Sequence, residues 1–192
     1  MRISGALFAA LLGVLSPTAF AGDDGERFTS YAGFQLGIGT LDDVQRRLGA
    51  TDAVHTGDAG DSETRLCYRV PGGNISFLSG EIGGETDLIG FSFSNVPRTH
   101  CATWPSTMPV PSMELAGLRL GMGKEEFSAA VGGEFHWENG EGNAYFESQR
   151  KPTDAERAAM PVDAMFDVDV SVIGSFVDGK LAEVEVWKVE TY

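Results

Sequence analysis

Two aspartates sit two residues apart in the run Phe166-Asp-Val-Asp-Val170, so Asp167 and Asp169 project from one face of a strand. Carboxylates paired in that way serve acid–base catalysis when one holds a proton and the other is ionised. Their neighbours Phe166, Val168 and Val170 are apolar, however, and alternating acids opposite an apolar face are what a solvated sheet surface shows. The solvated reading is favoured. Asp58, Asp61 and Glu63 crowd a glycine-containing loop without the Asp-x-Asp-x-Asp-Gly spacing of a calcium site. His55, His100 and His136 stand singly and form no His-x-x-x-His pair, so zinc chemistry has no anchor. There is no Gly-x-Ser-x-Gly elbow, and the Gly37/Gly39 pair lacks both the Gly-x-Gly-x-x-Gly pattern and a phosphate-binding lysine. Asn74-Ile75-Ser76 has the form of a glycosylation sequon, but a turn between strands explains Asn74 more simply. No catalytic residue, metal or cofactor is expected, and the chain is not expected to be an enzyme.

One segment has the composition of a recognition surface. Phe135-His-Trp-Glu-Asn-Gly-Glu-Gly-Asn-Ala-Tyr-Phe146 sets Trp137 and Tyr145 on either side of an Asn139-Gly140 hairpin tip. Rigid aromatics ringed by acids are typical of protein-interface hot spots, which makes Phe135, His136, Trp137 and Tyr145 the candidate protein-binding residues. The plainer reading is that these rings pack between helix and sheet as core.

The setting is acidic. Fourteen Lys and Arg against 28 Asp and Glu give a formal charge of −14 over 192 residues, which disfavours nucleic-acid and anionic-lipid partners. Arg2, the apolar stretch 5–15 and the small-x-small site Ala19-Phe20-Ala21 read as a cleaved export signal, residues 1–21, too short to span a bilayer. No cysteine follows the cleavage site to carry a lipid, and the mature form is expected to be periplasmic or secreted without membrane insertion. The chain's two cysteines, Cys67 and Cys101, both fall in the exported part, where a pair is most simply a disulfide.

The elements that position these residues come in two similar sets. Residues 33–49 and 117–132 share Gly33/Gly117, Leu36/Leu120, Gly37/Gly121 and Gly39/Gly123 at an offset of 84. After one deletion, Val44/Phe127, Leu48/Val131 and Gly49/Gly132 follow at 83. Each set reads as a glycine turn leading into a short amphipathic helix, and Gly37, Gly39, Gly121 and Gly123 are expected to be structural turns. Thr40 and Asp43 form a capping-box start for the first helix; Glu125 and Glu126 favour the start of the second. Alternating strands follow in both sets. Leu66/Tyr68/Val70, Ile75/Phe77 and Ile89/Phe91/Phe93 serve the first; Phe166 to Val172 and Leu181 to Val189, joined by Asp178-Gly179, serve the second. Ile75-Ser-Phe77 matches Val170-Ser-Val172, and Leu88–Phe93 matches Leu181–Val186. Trp187 and Val189 fall out of the inward phase, which predicts a bulge or a second packing contact.

The expected fold class is α+β: two homologous units, each a short helical segment packed on an antiparallel β-sheet meander. The boundaries are a flexible N-terminus at 22–32, a first repeat at 33–94, a Pro-rich linker with Cys101 at 95–116, and a second repeat at 117–192. A helical insertion at about 152–161 starts at the Thr153/Glu156 capping box and is ended by Pro161. The pattern Leu-x-Leu-Gly-Met followed by Phe127, Val131 and Gly132, with its strand meander, resembles the small helix-plus-sheet domain of the small protein A family of outer-membrane assembly lipoproteins. A tandem pair of such units resembles the secreted β-lactamase inhibitor protein family. The resemblance implies protein–protein binding without catalysis. It carries over no inhibitory contact residue, and the lipoproteins' lipidated cysteine has no counterpart here. The partner is thus expected to be another protein; the alternative is a periplasmic small-molecule binder or a hydrolase of unrecognised type.

Overall fold

The computed structural model describes residues 25–192 apart from positions 59, 61, 83, 85 and 162. The expected signal 1–21, residues 22–24 and Asp61 lie outside the described residues. What is described is mostly antiparallel β-sheet with few helices, a β-rich α+β arrangement. In chain order, the small hairpin β1 (Ser30–Tyr31) and β2 (Phe34–Gln35) leads into helix α1 (Leu41–Leu48). Strands β3 (Ala53–Thr56), β4 (Glu63–Val70), β5 (Gly73–Gly80) and β6 (Gly90–Ser94) follow. After β7 (Cys101–Thr103) the same succession returns: hairpin β8 (Glu114–Leu115) and β9 (Leu118–Arg119), then α2 (Lys124–Val131). It closes with β10 (Glu134–Glu138), β11 (Glu141–Arg150), the one-turn helix α3 (Asp154–Arg157), β12 (Phe166–Val177) and β13 (Lys180–Thr191).

The long strands make one sheet in the order β10-β11-β12-β13-β6-β5-β4-β3, antiparallel at every step. The two halves join at β6–β13, where Phe91 faces Val186, Ser92 faces Glu185 and Phe93 faces Val184. One sheet side is packed against both helices. Leu41, Val44 and Leu48 of α1 and Phe127 and Val131 of α2 share a single core with Tyr68, Phe77, Phe91, Phe93, Val172, Val184 and Val186. Their helical and strand spacings produce those faces directly.

Local chemistry fixes the helices. Thr40 and Asp43 close a reciprocal capping box on α1. The carbonyl end of α2 is closed from outside: Arg27 Nη2 donates to Val131 O at 2.6 Å. Each helix-leading loop is latched to the last strand of its own half or to the residues that lead into it. Gly37 N donates to Leu88 O at 2.9 Å and Leu88 N to Gly39 O at 3.2 Å; Gly121 N donates to Leu181 O at 2.7 Å and Leu181 N to Met122 O at 2.9 Å.

Several expectations need correction. Of the supposedly flexible 22–32, residues 25–32 are docked: Phe28, Thr29 and Tyr31 are buried, and Tyr31 Oη donates to Ser112 O at 2.6 Å. The 95–116 segment is more than a linker. Its β7 pairs in parallel with β4, placing Cys101 opposite Cys67 with Cα atoms 4.5 Å apart in a disulfide. The insertion has its Thr153/Glu156 box, but regular helix ends at Arg157 and i→i+3 turns carry on to Met160. Of the two outcomes expected at Trp187 and Val189, the bulge is absent, since β13 keeps register there and the irregularity is at Ser175/Phe176. The second packing contact is present: both residues alternate onto the other sheet face, where Trp187 packs on Gly90. Gly123 also departs from expectation. Gly39 has φ +85°, whereas Gly123 is extended at φ −82° and serves as the α2 N-cap without a side-chain bond.

Candidate protein-binding face

The sheet side turned away from the helices differs between its halves. In the first half it is floored by small residues, with Gly90, Ser92 and Ser94 on β6 and Ser76 on β5, and the chain's own long side chains fold over them. Arg65 on β4 bonds Glu63 at 2.8 Å, donates to Ser92 Oγ at 3.3 Å and reaches Glu185 at 3.2 Å. Arg98 arrives from the 95–100 loop to pair with Glu183. Trp187 lies over Gly90 so closely that a Cβ there would stand 2.8 Å from its ring, and its indole N–H donates to Glu185 at 2.7 Å. Leu78 is buried under this cover although it faces outward.

Electrostatics follow from that packing. Burial alone would lower the Arg65 pKa, but its bond to Glu63 and the charges of Glu63, Glu185 and Glu183 outweigh burial and raise it. Glu185 is raised, burial being the leading cause, against the indole bond and the Arg65 charge.

Over the second half, no described element covers the same face. A groove of about 480 Å³ runs across β10–β13 there, walled by Tyr145, Trp187 and Val189 and edged by Glu134, His136, Glu147 and Asp169. Trp187 and Val189 are half-buried; Tyr145 is 48% exposed. The residues singled out by sequence are divided between two faces. Phe135 and Trp137 turn toward α2, where Trp137 packs 5.3 Å from Phe176 and 5.1 Å from Phe135 and carries Lys124 Nζ at 4.7 Å, leaving it 44% exposed at the core rim. His136 and Tyr145 open onto the groove, ring centroids 6.5 Å apart. The segment is therefore part core rim and part groove, because consecutive strand residues point opposite ways. Trp187 and Val189 were missed as site residues. Their outward phase was the available signal.

The remaining chemical candidates are dispersed. Glu63 is taken by Arg65, and Asp167 accepts from Gln149 Nε2 at 2.7 Å on an exposed strand. His55 meets Thr64, His100 meets Asp52 and His136 meets Glu134. Among the described residues no group of three or more His, Cys, Asp or Glu is placed to hold a metal ion, and no helix is long and apolar enough to cross a membrane. Asn74 is buried within β5, where its amide donates to Val96 O at 2.7 Å and the fold leaves no room for a glycan. No family model, curated protein or solved structure matches this chain.

Proposed function

We propose that this chain is an exported, non-catalytic protein-binding module of two homologous α+β units, residues 33–94 and 117–192, and that its partner docks on the uncovered sheet face of the second unit. The carrying observation is the placement of Tyr145, Trp187 and Val189 on a face that the first half fills with its own side chains and the second half leaves open. Partly exposed rigid aromatics beside an aliphatic wall are the material from which interface hot spots are made. The groove edge is itself exposed at Glu134, His136, Tyr145, Glu147 and Asp169, so a small molecule would remain largely in water there. A partner loop brings its own walls, which favours a protein over a small ligand or a hydrolysed substrate.

Duplication is supported by the paired latches at Gly37/Leu88 and Gly121/Leu181. An offset of 93 carries Leu88 onto Leu181, exchanges the cross-strand pair Phe91/Val186 with Val184/Phe93, and returns Ser92/Glu185 to itself. That is the register a local twofold between two copies would give. The disulfide and the signal-like residues 1–21 support export to the periplasm or beyond. The resemblance to small protein A-like domains and to the β-lactamase inhibitor protein family agrees with binding in place of catalysis. Affinity capture from envelope extract tests the proposal. The wild-type chain should retain a partner that Tyr145→Ala loses; a Tyr145→Ala protein with unchanged melting temperature and full retention of that partner would overturn it.

A further inference from the structure

We infer that the groove receives a basic side chain, a lysine or arginine presented by an extended segment of the partner protein. The inference rests on the protein-binding reading above and adds the chemistry of the partner. Glu147 and Asp169 stand directly opposite each other on β11 and β12, and like charges in that position repel. At three other places on the sheet grouped acids are answered by cations: Glu63, Glu183 and Glu185 by Arg65 and Arg98, Glu156 and Glu190 by Arg150, and Glu26 and Glu190 by Lys188. The opposed pair Glu138/Glu141, by contrast, sits at the exposed β10–β11 hairpin end, outside the groove. Among the described residues neither Glu147 nor Asp169 has a cation within ion-pair distance.

Of the three basic residues within β11 and β13, Arg150 and Lys188 alternate onto the helix side and Lys180 sits at the β12–β13 hairpin end outside the groove, so none of them answers the groove's acids. Between the acids lies an apolar wall of Val189, Tyr145 and Trp187, the last fixed by its contact with Gly90 and its bond to Glu185. An aliphatic stem ending in a positive head fits both parts: the stem lies along the wall, aromatic rings attract the cation, and the carboxylates neutralise it. A purely apolar segment would leave the carboxylates desolvated and unanswered. An acidic segment would be repelled by the groove and by the chain's charge of −14.

Calorimetric titration with tetralysine tests this, using side-chain-acetylated tetralysine, tetraglutamate and spermine as comparators. Tetralysine should bind the wild-type chain, acetylated tetralysine and tetraglutamate should not, and added salt should weaken binding. E147Q/D169N should weaken it roughly fivefold to tenfold, as expected from two partly exposed ion pairs. The D42N/D58N control, which removes equal charge from the first half, should change it less than about twofold. Absence of tetralysine binding, equal losses in both double variants, or undiminished binding of the acetylated peptide would each overturn the inference. Spermine binding more tightly than tetralysine would assign the groove to a free polyamine and overturn the peptide occupant. If envelope capture yields a partner lost in Y145A but retained in full by E147Q/D169N, the protein-binding reading stands and the cation inference fails. If tetralysine binds as expected but no partner depends on Tyr145, the protein-binding reading fails and only the groove's preference for a cationic side chain survives.

Discussion

Arg65 on β4 reaches over β5 and β6 to Glu185 on β13, Nη2 to Oε2 at 3.2 Å, so one guanidinium ties the first half of the sheet to the second. The same group holds Glu63 and lies 3.8 Å from Glu183. The seam therefore depends on a cation as well as on the Phe91, Phe93, Val184 and Val186 contacts beneath it.

Replacing Arg65 with methionine keeps the stem and leaves the acids facing one another. A loss of about 2–3 kcal/mol is expected, below the cost of breaking a fully buried pair because these side chains keep some solvent. The pH sign is set by Glu185. Its raised pKa means that the folded state holds the proton more tightly than the unfolded state. Its contribution is thus favourable at low pH and is lost as pH rises from the ordinary carboxylate value through the raised one. Without Arg65 that window widens. Urea midpoints should show Arg65→Met losing less relative to wild type at pH 5 than at pH 8, and an equal loss at both would contradict this assignment.

Glu190 carries the opposite sign. Burial alone would raise its pKa, but hydrogen bonds from Arg150 and Lys188 outweigh burial and bring it below the ordinary value. A lowered folded-state pKa gives stability that is present above the unfolded value and disappears as pH falls through the folded one. Glu190→Gln should lower the melting temperature at pH 7 and reduce the slope of the acid limb below about pH 5. An acid limb identical to wild type would remove Glu190 from that account.

The glycines separate by backbone conformation. Gly39→Val should cost about 1–3 kcal/mol, since φ +85° is strained for a β-branched residue. Gly123 is extended, with nothing within 4 Å of an added Cβ, so Gly123→Val loses little beyond N-cap preference. Gly123→Ser should stabilise by a few tenths of a kcal/mol, roughly the margin of Ser over Gly at an N-cap. Thermal melts of the three variants should therefore rank Ser above wild type and place Gly39→Val well below both valine-free chains.

These glycines also show how far the sequence can be read. The shared pattern around Gly37/Gly39 and Gly121/Gly123 located both helices, because caps and a 3.6-residue apolar period are local. It could not distinguish φ +85° from −82°, since glycine permits both. Strand alternation gave the faces of β4, β5, β6, β12 and β13, and the Asp178-Gly179 turn gave the β12–β13 pairing, but the partners across the two halves were not legible. The sequence match of Ile75 with Val170 is one such limit. In the sheet, Ile75 faces Phe93 and Val172 faces Val186. The offset of 93 carries Phe93 onto Val186, so their partners Ile75 and Val172 correspond, and the sequence match to Val170 is on the right face but two residues short. The cover of Arg65, Arg98 and Trp187 over small residues was hidden for a similar reason. It depends on side chains far apart in sequence, and only strand order reveals it.

Removing the disulfide should loosen that cover. Cys67 and Cys101 close a separation of 34 residues, for which the chain-entropy model gives a stabilisation of about 3–4 kcal/mol. The bond also anchors β7 beside β4 and restrains the loop that delivers Arg98 to Glu183. C67S/C101S should fall by that amount in denaturant and gain amide exchange first at residues 95–103. Uniform acceleration across all strands, with no early loss there, would mean that the bond acts on global stability alone.

Gly90 is the most direct probe of the groove wall. An added Cβ would lie 2.8 Å from Trp187 Cε3 and 3.1 Å from Leu78 Cβ, and Leu78 is buried too tightly to retreat. The indole must move outward, straining its bond to Glu185 and reshaping the wall beside Val189. Overpacking of this kind costs about 1–3 kcal/mol. Gly90→Ala should therefore lower the melting temperature and shift Trp187 fluorescence to longer wavelength, which can be read cleanly in a W104F/W137F background. Tetralysine binding should weaken even at temperatures where the variant is fully folded, because a displaced ring no longer backs the stem of a basic side chain. A folded Gly90→Ala chain with unchanged emission would show that Trp187 is not held by that contact.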